Sequence, residues 1–364
     1  MIEEKSNTSR ILPALLATAL VALSGNAALA TPDKLVFAWP SAINSGLAPM
    51  AFAMELGFFK EENIEPDIVV LQGSGIIIPQ LMSGQIFSAY SSLEPLPISR
   101  QPGKPNFAFK FVYNYLRNSI WEIAVLEGSP IKQIKELEGK TIGVGGLQWG
   151  NVPTTRAILQ ASGASPSSVT LVGVGTGIPA FEALKRGQVD ALNLFDTMHV
   201  GLEEMGTKIR RLELPEEFRG VSSHGFPVTD KMIKERPDLI VGFGRAMSKG
   251  ALACAAALEN CIRAFWKLYP AQKPANETAG LKREMAVLTP RMANLTYFRP
   301  GGSQQMGSFD AADWRATIDA LKIGAQIDPT ANIDINSLYT NQFVDEFNKF
   351  DRATVEKKAA AYAP

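Results

Sequence analysis

Residues 73–89, GSGIIIPQLMSGQIFSA, and residues 175–191, GTGIPAFEALKRGQVDA, follow one pattern. Each runs from a Gly-Ser/Thr-Gly turn through a short helical stretch to a Gly-Gln pair and a strand-like run. Their surroundings agree in order as well. Strand, helix, strand, helix, strand is the reading of residues 35–92, and the same order returns over 141–195. Strands alternating with helices form parallel sheets through right-handed crossovers. The chain is therefore expected to build two similar α/β lobes in tandem, with a mostly helical part from about residue 237. In such sheets a guest binds beyond the carboxyl ends of the strands, where helices begin with unpaired N–H groups. The two glycine turns occupy that position in their lobes.

The chain has 364 residues, enough for two buried cores. Lys+Arg and Asp+Glu both number 36, so no basic excess points to nucleic acid. The apolar run ILPALLATALVAL at 11–23 follows Lys5 and Arg10 and precedes Ala28-Leu29-Ala30. That is the pattern of a cleavable signal peptide over 1–30, cut after Ala30. Asn26 follows Leu-Ser-Gly where a lipid-anchored protein needs Cys, and no later segment reads as a membrane span. The mature chain is expected in the periplasm. Cys254 and Cys261 are the only cysteines. On one unbroken helix they would stand about 10 Å apart, too far to bond. A break near Glu259-Asn260 would bring them together, so both outcomes stay open.

GFFKEENIEPDIV (57–69), LEGKTIGV (137–144), ALKRGQVDAL (183–192) and YTNQFVDEFNKFD (339–351) together resemble one family. It is the bacterial solute-binding proteins of ABC importers, of the nitrate/sulfonate/taurine and thiamine-precursor, NMT1/THI5-like type. The resemblance implies a type II periplasmic-binding-protein fold, two lobes joined by a two-segment hinge around a ligand cleft. Lobe 1 would be 31–117 plus 225–364 and lobe 2 would be 118–224, with hinge segments near 115–119 and 221–227. A membrane permease and an ATPase would be the partners of a monomer without cofactor or metal.

Candidate ligand-binding residues follow from strand ends and helix starts. In lobe 1 they are Trp39, Ser41 and Asn44 after the first strand, Ser74 and Gly75 in the glycine turn, and Ser91 and Ser92 after the third strand. Tyr113, Asn114 and Arg117 lead into the hinge, where Arg117 could clamp a carboxylate or sulfonate. In lobe 2 they are Trp149, Gly150, Asn151, Thr176, Phe195 and Asp196, and His224 lies in the return crossing. Arg117 and the helix starts favour a small organic anion. Glu94 and Asp196 favour an N–H-bearing group, and Trp39, Tyr90, Trp149 and Phe195 could instead sandwich an aromatic or pyrimidine-like solute. The fold also serves pyrimidine-precursor synthases, but their resemblance brings a Cys-rich motif that this chain lacks. No G-x-S-x-G or H-E-x-x-H occurs either, so a binder rather than an enzyme is expected.

Overall fold

The computed structural model describes residues 1–3, 31–298 and 300–363. The chain divides into a short unit, Met1–Thr31, and a large one, Pro32–Pro364. The expected leader and its cleavage site lie outside the described residues. All strands and helices named below belong to the large unit.

Eleven strands are described: β1 Asp33–Trp39, β2 Ile64–Val70, β3 Ser88–Ala89, β4 Ser91–Ser92, β5 Phe109–Leu116, β6 Trp121–Leu126, β7 Thr141–Val144, β8 Thr170–Gly173, β9 Ala191–Phe195, β10 Ile209–Arg211 and β11 His224–Thr229. Strands β1, β2 and β3 pair in parallel in the order β2-β1-β3, and β4-β11-β5 pair antiparallel. Only Tyr90 separates β3 from β4, so this half reads β2-β1-β3/β4-β11-β5. The other sheet runs β8-β7-β9-β6-β10, with β6 antiparallel to β9. The two orders are equivalent. In each lobe the antiparallel strand, β11 or β6, arrives from the other lobe through a crossing segment. The duplicated sequence device thus marks a duplicated topology, the type II periplasmic-binding-protein arrangement.

Helices cover the sheet faces, and the strands are accordingly apolar along their length. All five residues of β9, ALNLF, are buried. The helix after β1 is expected over about 47–60 but splits into Ala48–Glu55 and Phe58–Glu61, because Gly57 takes φ +74° between them. A helix expected over about 152–161 is present as Val152–Ala161.

One correction concerns Pro237–Ala256. Contrary to the expectation that no later segment reads as a membrane span, this helix is long and apolar enough to cross one, yet 78% of its apolar window is buried. It is a core helix. It ends at Ala257, and Leu258–Leu268 starts anew. That break, two residues before the expected one, lets Cys254 and Cys261 form a disulfide with Cα atoms 5.0 Å apart.

The crossings are tied together: the Ser223 N–H donates to Leu116 O at 3.0 Å, and the Ser223 hydroxyl donates to Asn118 O at 3.3 Å. Helix Ala311–Ile323 straddles both halves. Its Trp314, Ile318 and Leu321 join the core around Phe111, whereas Ala320 joins the core around Ile142.

Candidate functional site

A cavity lies at the carboxyl edges of the parallel strands, between the lobes. One wall is a stack. Trp39 at the end of β1 lies 4.8 Å from Tyr90, which lies 4.4 Å from His224 at an interplanar angle of 14°. The opposite wall is a triangle formed by Trp121 at the start of β6, Trp149 after β7 and Phe195 at the end of β9. Its centroids are 5.9, 6.1 and 6.2 Å apart. Trp121 meets His224 at 5.4 Å, which closes one end of the slot. Because β6 runs antiparallel to β9, its first residue reaches the same edge as the last residue of β9.

Among the described residues, the cavity's one charged lining group is Arg291, from helix Glu277–Leu295. Its side chain is 4% exposed and ion-paired to Asp196, the first residue of helix Asp196–Glu204. Nε and Nη2 both donate to the Asp196 carboxylate, whereas no hydrogen bond of Nη1 occurs among the described residues. Burial alone would lower the Arg291 pKa; Asp196 and the tyrosine oxygens outweigh it and hold the guanidinium charged. Burial, then Arg291, depress His224 well below the ordinary imidazole range, so the ring is neutral at pH 7. Three further polar atoms of cavity residues are buried without a partner: Trp39 Nε1, Tyr90 Oη and Trp121 Nε1. Buried donors are rarely left in this state.

The lobes meet closely. Gly75 N donates to Gln148 O at 3.0 Å, and Thr154 Oγ1 donates to Glu94 Oε1 at 3.0 Å. Gly73 has φ +84°, and a Cβ there would stand 2.8 Å from Gln148 O. A Cβ on Gly150 would stand 2.6 Å from Ser92 Cβ. Glycine is required at Gly73, and at Gly150 it lets the backbone lie directly against the Ser74 and Ser92 side chains of the facing lobe.

Of the residues expected at the site, the structure gathers Trp39, Ser41, Asn44, Ser74, Ser92, Trp149, Gly150, Phe195 and His224 around this cavity. Others stand elsewhere. Tyr113 is core, its hydroxyl 3.0 Å from Ser248 Oγ, and Asn114 Nδ2 donates to Ser222 Oγ. Arg117 donates to Ser308 Oγ at 3.1 Å and covers the Phe298 ring, beside a different hollow. Asn151 Nδ2 donates to Asn193 Oδ1 inside lobe 2, and Ser91 sits one layer behind Ser74. Gly75 faces a groove beyond Trp149, and Thr176 faces a groove on the other side, lined also by Asn44 and Phe181. Asp196 reaches the cavity through Arg291. Pro40, Gly73, Ile120, Trp121 and Arg291 line the cavity without having been singled out. Trp121 carried a usable signal, an aromatic opening the first strand after the crossing; Arg291 carried none.

The NMT1/THI5 like family model matches residues 44–259. Riboflavin-binding protein RibY of Chloroflexus aurantiacus is 25% identical over 312 residues, 83% of each chain. Among solved structures, the periplasmic aliphatic sulphonate binding protein SsuA of Escherichia coli superposes with TM-score 0.60 at 16% identity, over 85% of this chain and 92% of its own. The desulfurization enzyme DSZB, solved in complex with biphenyl-2-sulfinic acid, gives TM-score 0.55 at 13% identity over 86% and 98%. These structures share the fold. With more than half of its length matched and two lobes of equivalent strand order around one cavity, the chain belongs to the NMT1/THI5-like family.

Proposed function

We propose that the protein is the substrate-binding component of an ABC importer, which captures a planar aromatic or heterocyclic solute by lobe closure and delivers it to a membrane permease. The observation that carries this reading is the pair of facing aromatic walls, Trp39/Tyr90/His224 and Trp121/Trp149/Phe195. Aromatic rings pack favourably on one another, offset-stacked or edge to face. Arg291 Nη1 supplies the contact for an anionic or acceptor group, the role expected of Arg117 from sequence. In this reading the mature chain works in the periplasm, with lobe boundaries near 117 and 224 as the sequence suggests.

The solute is held and not transformed. Both cysteines of the chain are tied in the disulfide, so no thiol nucleophile lines the cavity. The imidazole beside Ser92 leans on the Ser223 hydroxyl, 3.1 Å away, and not on a carboxylate, and Arg291 opposes its protonation. It is a poor general base.

Tryptophan fluorescence tests the reading, because Trp39, Trp121 and Trp149 all line the cavity. Riboflavin or a bicyclic heterocycle is expected to quench emission saturably, with a Kd of about 1 μM, equivalent to about 8 kcal/mol. Taurine and nitrate are expected to leave it unchanged. Saturable binding by taurine or nitrate alone would reject the aromatic reading. Gly150→Ala tests closure separately. Gly150 has no positive φ, so alanine is locally acceptable and its methyl only wedges against Ser92 and Ser74. Affinity is expected to fall about tenfold to a hundredfold, as overpacking costs about 1–3 kcal/mol. The circular dichroism spectrum should not change.

A further inference from the structure

Two serine hydroxyls that line the cavity, Ser74 and Ser92, each have an internal partner that can take the proton. With the Ser223 proton on Asn118 O, 3.3 Å away, Ser223 accepts from His224 Nδ1 at 3.1 Å, and Nδ1 carries the ring proton. In a neutral imidazole Nε2 is then bare, and it accepts the proton of Ser92 Oγ at 3.3 Å. A second chain ends the same way. Ser91 Oγ is 3.3 Å from Ser92 O and 3.4 Å from Ser74 Oγ; with its own proton on the carbonyl it accepts from Ser74. Ser74 and Ser92 are 3% and 6% exposed. Both oxygens lie beside Gly150, within 2.9 Å of the point where a Cβ would stand. They form one edge of the slot, and what they have left to offer a guest is lone pairs. Donors belong to other cavity residues: Arg291 has Nη1, and Trp39 and Trp121 have buried N–H groups without a partner among the described residues.

We propose that Ser74 and Ser92 are specificity-determining residues, an acceptor-only edge that selects an aromatic heterocycle bearing an N–H donor, an amino group or ring N–H, over one of equal shape without it. An oxygen of a sulfonate or carboxylate at this edge would meet lone pairs, so an anionic group is directed to Arg291. His224 acts as a positioning residue that consumes the Ser92 proton. The inference rests on the aromatic-solute reading and narrows it.

The test uses an isosteric pair, 4-aminoquinazoline and 4-methylquinazoline, which differ by NH₂ against CH₃ at nearly constant volume. Wild-type protein is titrated by tryptophan fluorescence alongside riboflavin. The amino compound is expected to bind about tenfold more tightly or better, the worth of one or two buried hydrogen bonds. In Ser74→Ala/Ser92→Ala the preference should shrink to within about twofold, the methyl compound binding as before. Ser92→Ala alone, expected to lose part of the preference, serves if the double variant shows an altered melting temperature. Equal affinities in wild type, or a preference that survives removal of both hydroxyls, overturns the acceptor edge while the aromatic reading stands. So does quenching by riboflavin with neither quinazoline bound. If no planar probe binds, both fall.

Discussion

Asp196→Ala is expected to destabilise the protein by about 3–5 kcal/mol, the cost of leaving a buried partner charge uncompensated. Arg291 is the charge left behind, with a side chain only 4% exposed and the Phe195 ring 6.0 Å from its guanidinium carbon. The pair joins helix Glu277–Leu295 to helix Asp196–Glu204, so its loss loosens the closed lobes before it unfolds either core. Urea unfolding measures the effect. A loss below about 1 kcal/mol would place the pair among ordinary surface bridges. The companion variant Asp196→Ala/Arg291→Met should recover much of the loss, since replacing both ions with apolar groups is often nearly neutral. Its solute affinity should remain low, because the free Nη1 donor has gone.

Glu94→Gln is expected to act in the opposite direction and only at high pH. Burial pushes the Glu94 carboxyl up to about 7, against the partial help of backbone N–H groups and Thr154. Its Oε2 is buried without a partner. A carboxyl whose pKa rises on folding binds its proton more tightly in the native state. Stability is therefore highest below the ordinary range near 4.5, falls as pH climbs to about 7, and is level above that. Glutamine removes the ionisation. Near pH 8 the variant should exceed wild type by about 3 kcal/mol, and near pH 4 the two should coincide. Urea midpoints at the two pH values check this; a pH-independent difference would mean that Glu94 is not a desolvated acid. Since Glu94 accepts from Thr154 across the lobes, part of the penalty at high pH is relieved by opening.

The order of strands and helices was readable from the sequence because it follows from local periodicity, and the equivalence of the two sheets from the repeated glycine turns. The cavity-lining residues at or just after strand ends, Trp39, Ser92, Trp149 and Phe195, were readable for a related reason: an α/β sheet brings such ends to one edge. Arg291 was not. It lies 95 positions from Asp196 on a helix whose pattern reads as core and surface, and only the packing of that helix against the second lobe brings it to the cavity. Arg117 and Thr176 show the converse. Arg117 leaves the crossing on the side of Ser308, and the turn carrying Thr176 faces a groove whose lobe-to-lobe gap stays open, whereas its counterpart at Gly73–Gly75 is sealed against Gln148. Closeness along the chain to a hinge or a turn does not fix which side of it a side chain takes.

A crystal structure of the protein grown with riboflavin or 4-aminoquinazoline addresses the two-walled slot most directly. The ring should fill the slot lined by Trp39, Trp121, Trp149 and Phe195, with an acceptor or anionic group at Arg291 Nη1 and the amino or ring N–H at Ser74 and Ser92. A probe seated instead in the hollow beside Arg117 or the groove beside Thr176, with the aromatic slot unfilled, would contradict the assignment of this cavity as the solute site.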